Sequence, residues 1–182
     1  MLPELTTNRK GAIAEAAITK AAVAVGIDVY RPALEGGRFD LILDMGDRLL
    51  RVQCKSSPLH GDTVVVRCYS ARRARSGLVR RKYTADEVDA FAVYCPELDR
   101  CYFIPFEVIG PNSEIRLRVS PARNNQRLRI RRAEDFDFEA RLSALGPIAQ
   151  LGERVAGSDE VGGSSPPGST QMSALTSCVR NS

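Results

Sequence analysis

The chain has 182 residues with 26 Lys and Arg against 22 Asp and Glu, a formal net charge of +4 and 43% hydrophobic residues, enough for one cored domain with or without a tail. It contains no run of about 18 apolar residues to cross a membrane, and the start "MLPELTTNRKG" lacks the apolar core of a signal peptide, so a soluble cytoplasmic protein with no membrane partner is expected. Five cysteines without a C-x-x-C pair and one histidine, His60 in the turn "SPLHGD", argue against a zinc site and a Ser/His or Cys/His hydrolase and fit reduced thiols.

Taken in chain order, Thr7 or Asn8 caps a helix from about Arg9 to Val25, with Ile13, Ala17, Ala21 and Ala24, joined by Ile18 and Val25, on one apolar face. Gly26 ends it. The β-rich runs "IDVYRP", "FDLILDM", "RLLRVQCKS" and "DTVVVRCYS" predict four strands of one sheet over 27–70. The stretch "RCYSARRARSGLVRRK", residues 67–82, holds seven Arg and Lys and no acid, and is expected to be a basic loop. "YTADEVD" predicts a capped helical turn, and "AFAVYCP" with "CYFIPFEVI" a hairpin around Glu97 to Arg100. "EIRLRVSP" and "RLRIRRAEDFDF" close the domain near residue 140. This order predicts an α/β or α+β sandwich rather than a doubly wound fold. The domain spans 1–145.

One strand pair carries polar residues where apolar ones are favoured. Asp40 opens an apolar strand, and on the next strand Gln53 and Lys55 alternate with Val52 and Cys54. Residues two apart on a strand share a face, so Gln53 and Lys55 point the same way. If the strands pair through the turn MGDR, Asp40 lies near both. A carboxylate, an amide oxygen and an ammonium suit a hard divalent cation such as Mg²⁺, which takes oxygen ligands and needs only one or two protein carboxylates plus a substrate phosphate. Lys55 is then placed to orient or deprotonate the attacking water, or to stabilise charge on the phosphate. Glu15 on the first helix is flanked by Ala14, Ala16, Ala17 and Ile18, small residues that allow close approach to a sheet.

Glu15, Asp40 after "GGRF", Gln53-x-Lys55 and the helix start "NRKG" together resemble the PD-(D/E)XK nuclease superfamily, in the variant where Gln replaces the last acid. The pattern is most similar to the homing endonucleases encoded in cyanobacterial tRNA introns. The resemblance covers about residues 8–110. It implies a restriction-endonuclease-like α/β core, a central mixed β-sheet flanked by helices, that hydrolyses DNA phosphodiesters. Glu15, Asp40 and Gln53 would hold Mg²⁺, with Mn²⁺ as an alternative, and Lys55 would complete the catalytic set. A homo-oligomer, dimer or tetramer, is expected, since one compact domain offers little area to read a long target.

Arg72, Arg73, Arg75, Arg80, Arg81 and Lys82 beside such a site read as a clamp on double-stranded DNA, because phosphate neutralisation supplies most non-specific affinity. Arg116, Arg118, Arg129 and Arg131 alternate on strand-like segments as a second basic face. The reading predicted is a Mg²⁺-dependent, site-specific DNA endonuclease. Its rivals are a Holliday-junction resolvase or repair nuclease of the same fold, and a non-catalytic DNA-binding module.

Residues 146–182 change character: they are rich in Gly, Ser and Pro without apolar periodicity, the composition of a disordered tail. The tail also resembles a translated tRNA gene. Ala149 to Gly152 allow a D-arm sequence, Val155 to Asp159 an anticodon stem, and Gly163 to Pro166 a T-arm, in that order and frame.

Overall fold

The computed structural model describes residues 5–34, 36–75, 77–121 and 130–146. In chain order its elements are α1 (Thr7–Ala24), β1 (Asp28–Tyr30), β2 (Leu41–Asp44), β3 (Leu49–Ser56), β4 (Leu59–His60), β5 (Thr63–Arg67), β6 (Tyr69–Ala74), β7 (Gly77–Lys82), β8 (Ala90–Cys95), β9 (Arg100–Pro105), α2 (Phe106–Ile109), β10 (Glu114–Arg118), β11 (Arg131–Arg132) and α3 (Phe138–Leu145). The tail from residue 147 on, with its tRNA-like reading, lies outside the described residues, as does Arg129.

The cap of helix α1 falls one residue before the expected Thr7 or Asn8. Thr6 is the N-cap, its hydroxyl accepting from the Arg9 N–H at 3.4 Å, and Gly26, at φ 80°, turns the chain out of the helix. The buried stripe is Ala14, Ile18 and Ala22, whereas Ile13 faces outward at 42% exposure. The predicted face is rotated because alanines surround this helix. Hydrophobicity then hardly distinguishes its sides, and close approach to the sheet decides.

The central sheet has the order β1-β2-β3-β8-β9. Only β3 and β8 run parallel; the other neighbours are antiparallel. The long excursion between β3 and β8 supplies the crossover a parallel pair needs. Helices α1 and α3 cover one face, where Ile18, Ala22, Leu41, Val52, Phe103, Phe138 and Leu142 pack together. On the other face Phe91, Val93 and Ile104 meet Val64, Val66, Ile115 and Leu117. These last four belong to a second sheet, β11-β10-β5-β4. The result is an α/β restriction-endonuclease-like fold, with a mixed sheet flanked by helices.

Two expectations about the strands change. The fourth run, "DTVVVRCYS", does not continue the first sheet: Thr63–Arg67 pairs with β10 and β4, and Tyr69 starts a separate ribbon. The switch falls at Cys68, whose N–H donates to the Ser113 carbonyl at 2.9 Å. Alternating burial marks a strand without naming its partner, and here the partner is about 50 residues away in sequence, beyond any local signal. The basic segment expected as a loop is the antiparallel ribbon β6–β7, a two-stranded sheet of its own. Helix α3 is an element the sequence pattern does not announce. Asp137 caps it by accepting from the Ala140 N–H at 3.2 Å.

Candidate active site

The β2–β3 hairpin builds the site. In its turn the Met45 N–H donates to the Arg48 carbonyl at 2.9 Å, and Gly46, at φ 88°, donates to Asp44 Oδ1 at 2.8 Å. That turn fixes Leu41 opposite Val52, so Asp40 falls just outside the pair, its N–H on the Val52 carbonyl at 2.9 Å. Asp40 Oδ2 accepts from the Cys54 N–H at 2.8 Å and from Gln53 Nε2. Gln53 is buried, 7% exposed, and its Nε2 also reaches the Cys54 carbonyl at 3.2 Å.

Period-two alternation puts Val52 and Cys54 in the core under α1, and Gln53 and Lys55 on the opposite face. There Lys55 Nζ donates to the Tyr83 hydroxyl at 3.3 Å and to the Tyr69 carbonyl at 3.5 Å. The ammonium lies 5.0 Å from the Tyr83 ring centroid and 5.9 Å from that of Phe91. Burial pushes the Asp40 carboxyl above its ordinary value, against the Cys54 N–H, the Lys55 charge and Gln53, which favour the anion. Burial likewise pulls the Lys55 ammonium down, and the Asp40 charge opposes it. Both groups are biased toward neutrality by desolvation, as is common where chemistry is done.

Asp40, Gln53 and Lys55 are therefore brought together as the strand pattern requires. Glu15 sits at the rim, where its carboxylate pairs with Arg31 at 3.2 Å. Arg31 links the two acids: its charge also acts on Asp40, and the Glu15 and Asp40 charges both raise the Cys54 thiol, after burial.

Among the described residues no three His, Cys, Asp or Glu side chains form a metal-holding group. The donors present still suit a hard cation. Both hydrogen bonds to Asp40 go to Oδ2, which leaves Oδ1 for a ligand. Gln53 would meet a cation through its amide oxygen rather than the nitrogen that faces Asp40. A buried carboxylate raised by desolvation is also relieved by a cation beside it.

The ribbon carries the basic residues on both faces. Cross-strand partners share a face, so Arg72 with Val79 and Ser70 with Arg81 lie on one side, and Arg73 with Leu78, Ala71 with Arg80 and Tyr69 with Lys82 on the other. Two of the six basic residues make polar contacts within the protein: Arg81 pairs with Glu87, and Lys82 Nζ donates to the Pro111 carbonyl at 2.9 Å. Arg80 stacks over the Tyr69 ring at 5.0 Å, and Arg72, Arg73 and Arg75 are exposed. On the second basic face, Arg116 pairs with Glu114 at 2.9 Å and Arg118 with Asp62 at 3.3 Å, while Arg131 donates to the Val108 carbonyl at 3.4 Å.

Sequence reasoning missed a cluster at the ribbon root. Arg38 lies over the Tyr83 ring at 4.0 Å, donates to Ser70 Oγ at 2.9 Å and the Lys82 carbonyl at 2.7 Å, and pairs with Glu87 at 3.0 Å. The available signal was an arginine two places before Asp40 and a tyrosine closing the basic run.

This fold and this strand pair define a class. A sequence profile described as PD-(D/E)XK endonuclease matches residues 5–139, and the chain belongs to that family; its activity class is endodeoxyribonuclease. The family generally uses divalent metal ions. Among solved structures, a bacterial homing endonuclease, I-Ssp6803I, is similar at 25% identity and a TM-score of 0.61, over 86% of this chain and 100% of that one. No curated protein sequence matches.

Proposed function

We propose that this endodeoxyribonuclease is a Mg²⁺-dependent, site-specific enzyme of the homing kind, acting on double-stranded DNA as a dimer or tetramer. The observation that carries the reading is the meeting of Asp40, Gln53 and Lys55 on one strand pair beside an exposed basic ribbon. The similarity to a bacterial homing endonuclease supports it.

Asp40 and Gln53, with Glu15 at the rim, would hold the cation, which when bound supplies charge against the scissile phosphate and acidifies water. The chain's own groups do the rest. Cys54 N–H holds the Asp40 carboxylate in one orientation. Lys55 brings the nearest ammonium, in a site where burial magnifies its effect on developing negative charge. Arg72, Arg73, Arg75 and Arg80 neutralise phosphates along the duplex. A two-stranded ribbon fits the major groove, where base edges are distinguishable.

The test is cleavage of long duplex DNA bearing candidate sites, with Mg²⁺ or with EDTA, by the wild type and by Lys55→Ala. The reading expects one site cut, no cutting in EDTA, and loss of cutting with retained DNA binding in Lys55→Ala. Cutting of branched DNA of any sequence would instead identify a resolvase, and binding without cutting in any divalent metal would overturn the enzyme.

A further inference from the structure

The two groups that hold the Lys55 ammonium are the two roots of the basic ribbon. Tyr69, whose carbonyl accepts at 3.5 Å, opens β6. Tyr83, whose hydroxyl accepts at 3.3 Å, follows Lys82, the last residue of β7. Tyr69 and Lys82 are register partners, so the ammonium rests on the base of the structure that extends toward DNA.

Tyr83 is itself fixed on two sides. Its ring stands edge-on to Phe91, 5.1 Å between centroids at 90°, and Arg38 covers it at 4.0 Å. Arg38 is tied in turn to both ribbon strands, through Ser70 Oγ and the Lys82 carbonyl, and to Glu87. Burial keeps the Tyr83 hydroxyl protonated, pushed up to about 12, so it remains a neutral acceptor for the ammonium. A cation beside an aromatic face is further attracted by the ring. Lysine's flexible stem would otherwise leave the ammonium many positions.

We propose that Tyr83, clamped by Arg38 and joined by the Tyr69 carbonyl, is the positioning residue for Lys55, so that the ribbon root aims the catalytic ammonium. The consequence is that DNA contact and the chemical step share one hydrogen-bonded unit. Arg80 stacks on the Tyr69 ring, and the Tyr69 carbonyl holds Lys55. This inference rests on the nuclease reading for the role of Lys55, but the placement itself is measurable without DNA or metal.

The experiment uses the full chain, whose only lysines are Lys10, Lys20, Lys55 and Lys82, so side-chain ¹⁵N resonances can be assigned by single substitutions. Tyr83→Phe removes the hydroxyl and keeps the ring against Phe91 and Arg38. The expected result in metal-free, DNA-free protein is a shifted and broadened Lys55 Nζ resonance with the other three unmoved. Single-turnover cleavage with Mg²⁺ should fall about tenfold or more, the scale of misplaced catalytic groups, with DNA affinity unchanged. Arg38→Lys, which loses the planar stack on Tyr83, should move the same resonance in the same sense. A Lys55 resonance unchanged in both variants overturns the proposal, as does a moved resonance with cleavage at the wild-type rate. Failure of the underlying reading looks different: Lys55→Ala would then cut DNA as fast as wild type.

Discussion

Replacing Gln53 by Glu tests the metal reading through stability as well as activity. In the native site the Gln53 amide donates to Asp40 Oδ2, a hydrogen bond to a charged group worth about 1.5–3 kcal/mol. Glutamate removes that donor and sets a second carboxylate beside one already raised by burial. Two unit charges about 4 Å apart at an effective dielectric of 20 repel by about 4 kcal/mol, but protonation of one partner caps the cost. The expected loss in EDTA near pH 7 is therefore about 2–4 kcal/mol, with the variant taking up a proton. A divalent cation reverses the sign, because a second charged oxygen is a better hard-metal ligand than an amide. Ligand at a hundredfold excess over Kd contributes about 2.7 kcal/mol, so the variant should regain much of its loss in Mg²⁺ and gain more than wild type does. Urea unfolding of both proteins in EDTA and in Mg²⁺, at pH 7 and pH 4, reads this directly. At pH 4 the EDTA deficit should shrink as the carboxylates protonate. Equal stability in EDTA, together with equal stabilisation by Mg²⁺, would mean that Asp40 and Gln53 hold no metal.

Asp40→Asn should leave metal-free protein at least as stable as wild type at pH 7, since a carboxyl raised by burial makes the folded state less stable as pH rises through its ordinary range; melting in EDTA checks this, and the same variant should lose stabilisation by Mg²⁺. Asp89→Asn should cost about 1 kcal/mol at neutral pH for a pair this exposed. Arg51 binds both Asp89 oxygens, at 3.0 and 2.8 Å, and holds its carboxyl below the ordinary value. That stabilisation is present above the unfolded carboxylate range and is lost as pH falls through the folded value, so urea unfolding at successively lower pH should show the difference shrinking. Arg72→Ala with Arg73→Ala should weaken DNA binding and lower the salt slope by about one for each phosphate that is no longer neutralised, whereas Arg81→Ala, whose charge Glu87 already meets, should change the slope less; fluorescence titrations across salt concentration separate them. Truncation after Gly146 should leave cleavage and melting unchanged, because residues 147–182 lack core-forming periodicity.

The legible part of the site was the part encoded locally. A four-residue turn and period-two alternation suffice to place Asp40 against Gln53 and to put Lys55 on the same face as Gln53, and the structure has that register. Glu15 was readable only as a helix position, because its direction depends on which side of an alanine-rich helix meets the sheet. Its pairing with Arg31, 16 residues away, depends on how β1 leaves the helix. Sheet membership was illegible for the same reason: β5 joins β10, and nothing near Thr63–Arg67 names that partner. The role of Tyr83 was hidden at the end of a basic run whose charge pattern pointed outward to DNA, while its ring points inward.

These placements explain why a strand pair carries Asp, Gln and Lys where it favours apolar side chains. The sheet has two faces, each with its own core, and Val52 and Cys54 supply the helix-side core. Gln53 and Lys55 take the alternate face, near the boundary with the ribbon root. Apolar residues in their place would fill that boundary and add to the core. Polar ones create a site whose charges are disfavoured by burial on both sides: Asp40 is raised and Lys55 lowered. Their mutual attraction offsets part of this, and Cys54 N–H and the Tyr83 hydroxyl hold each in place. Desolvation that works against isolated charges also strengthens their action on a phosphate. On the proposed reading, a phosphate and a cation entering this site would meet charges that burial has already set apart from water, which would tie the local cost of burying them to the chemistry.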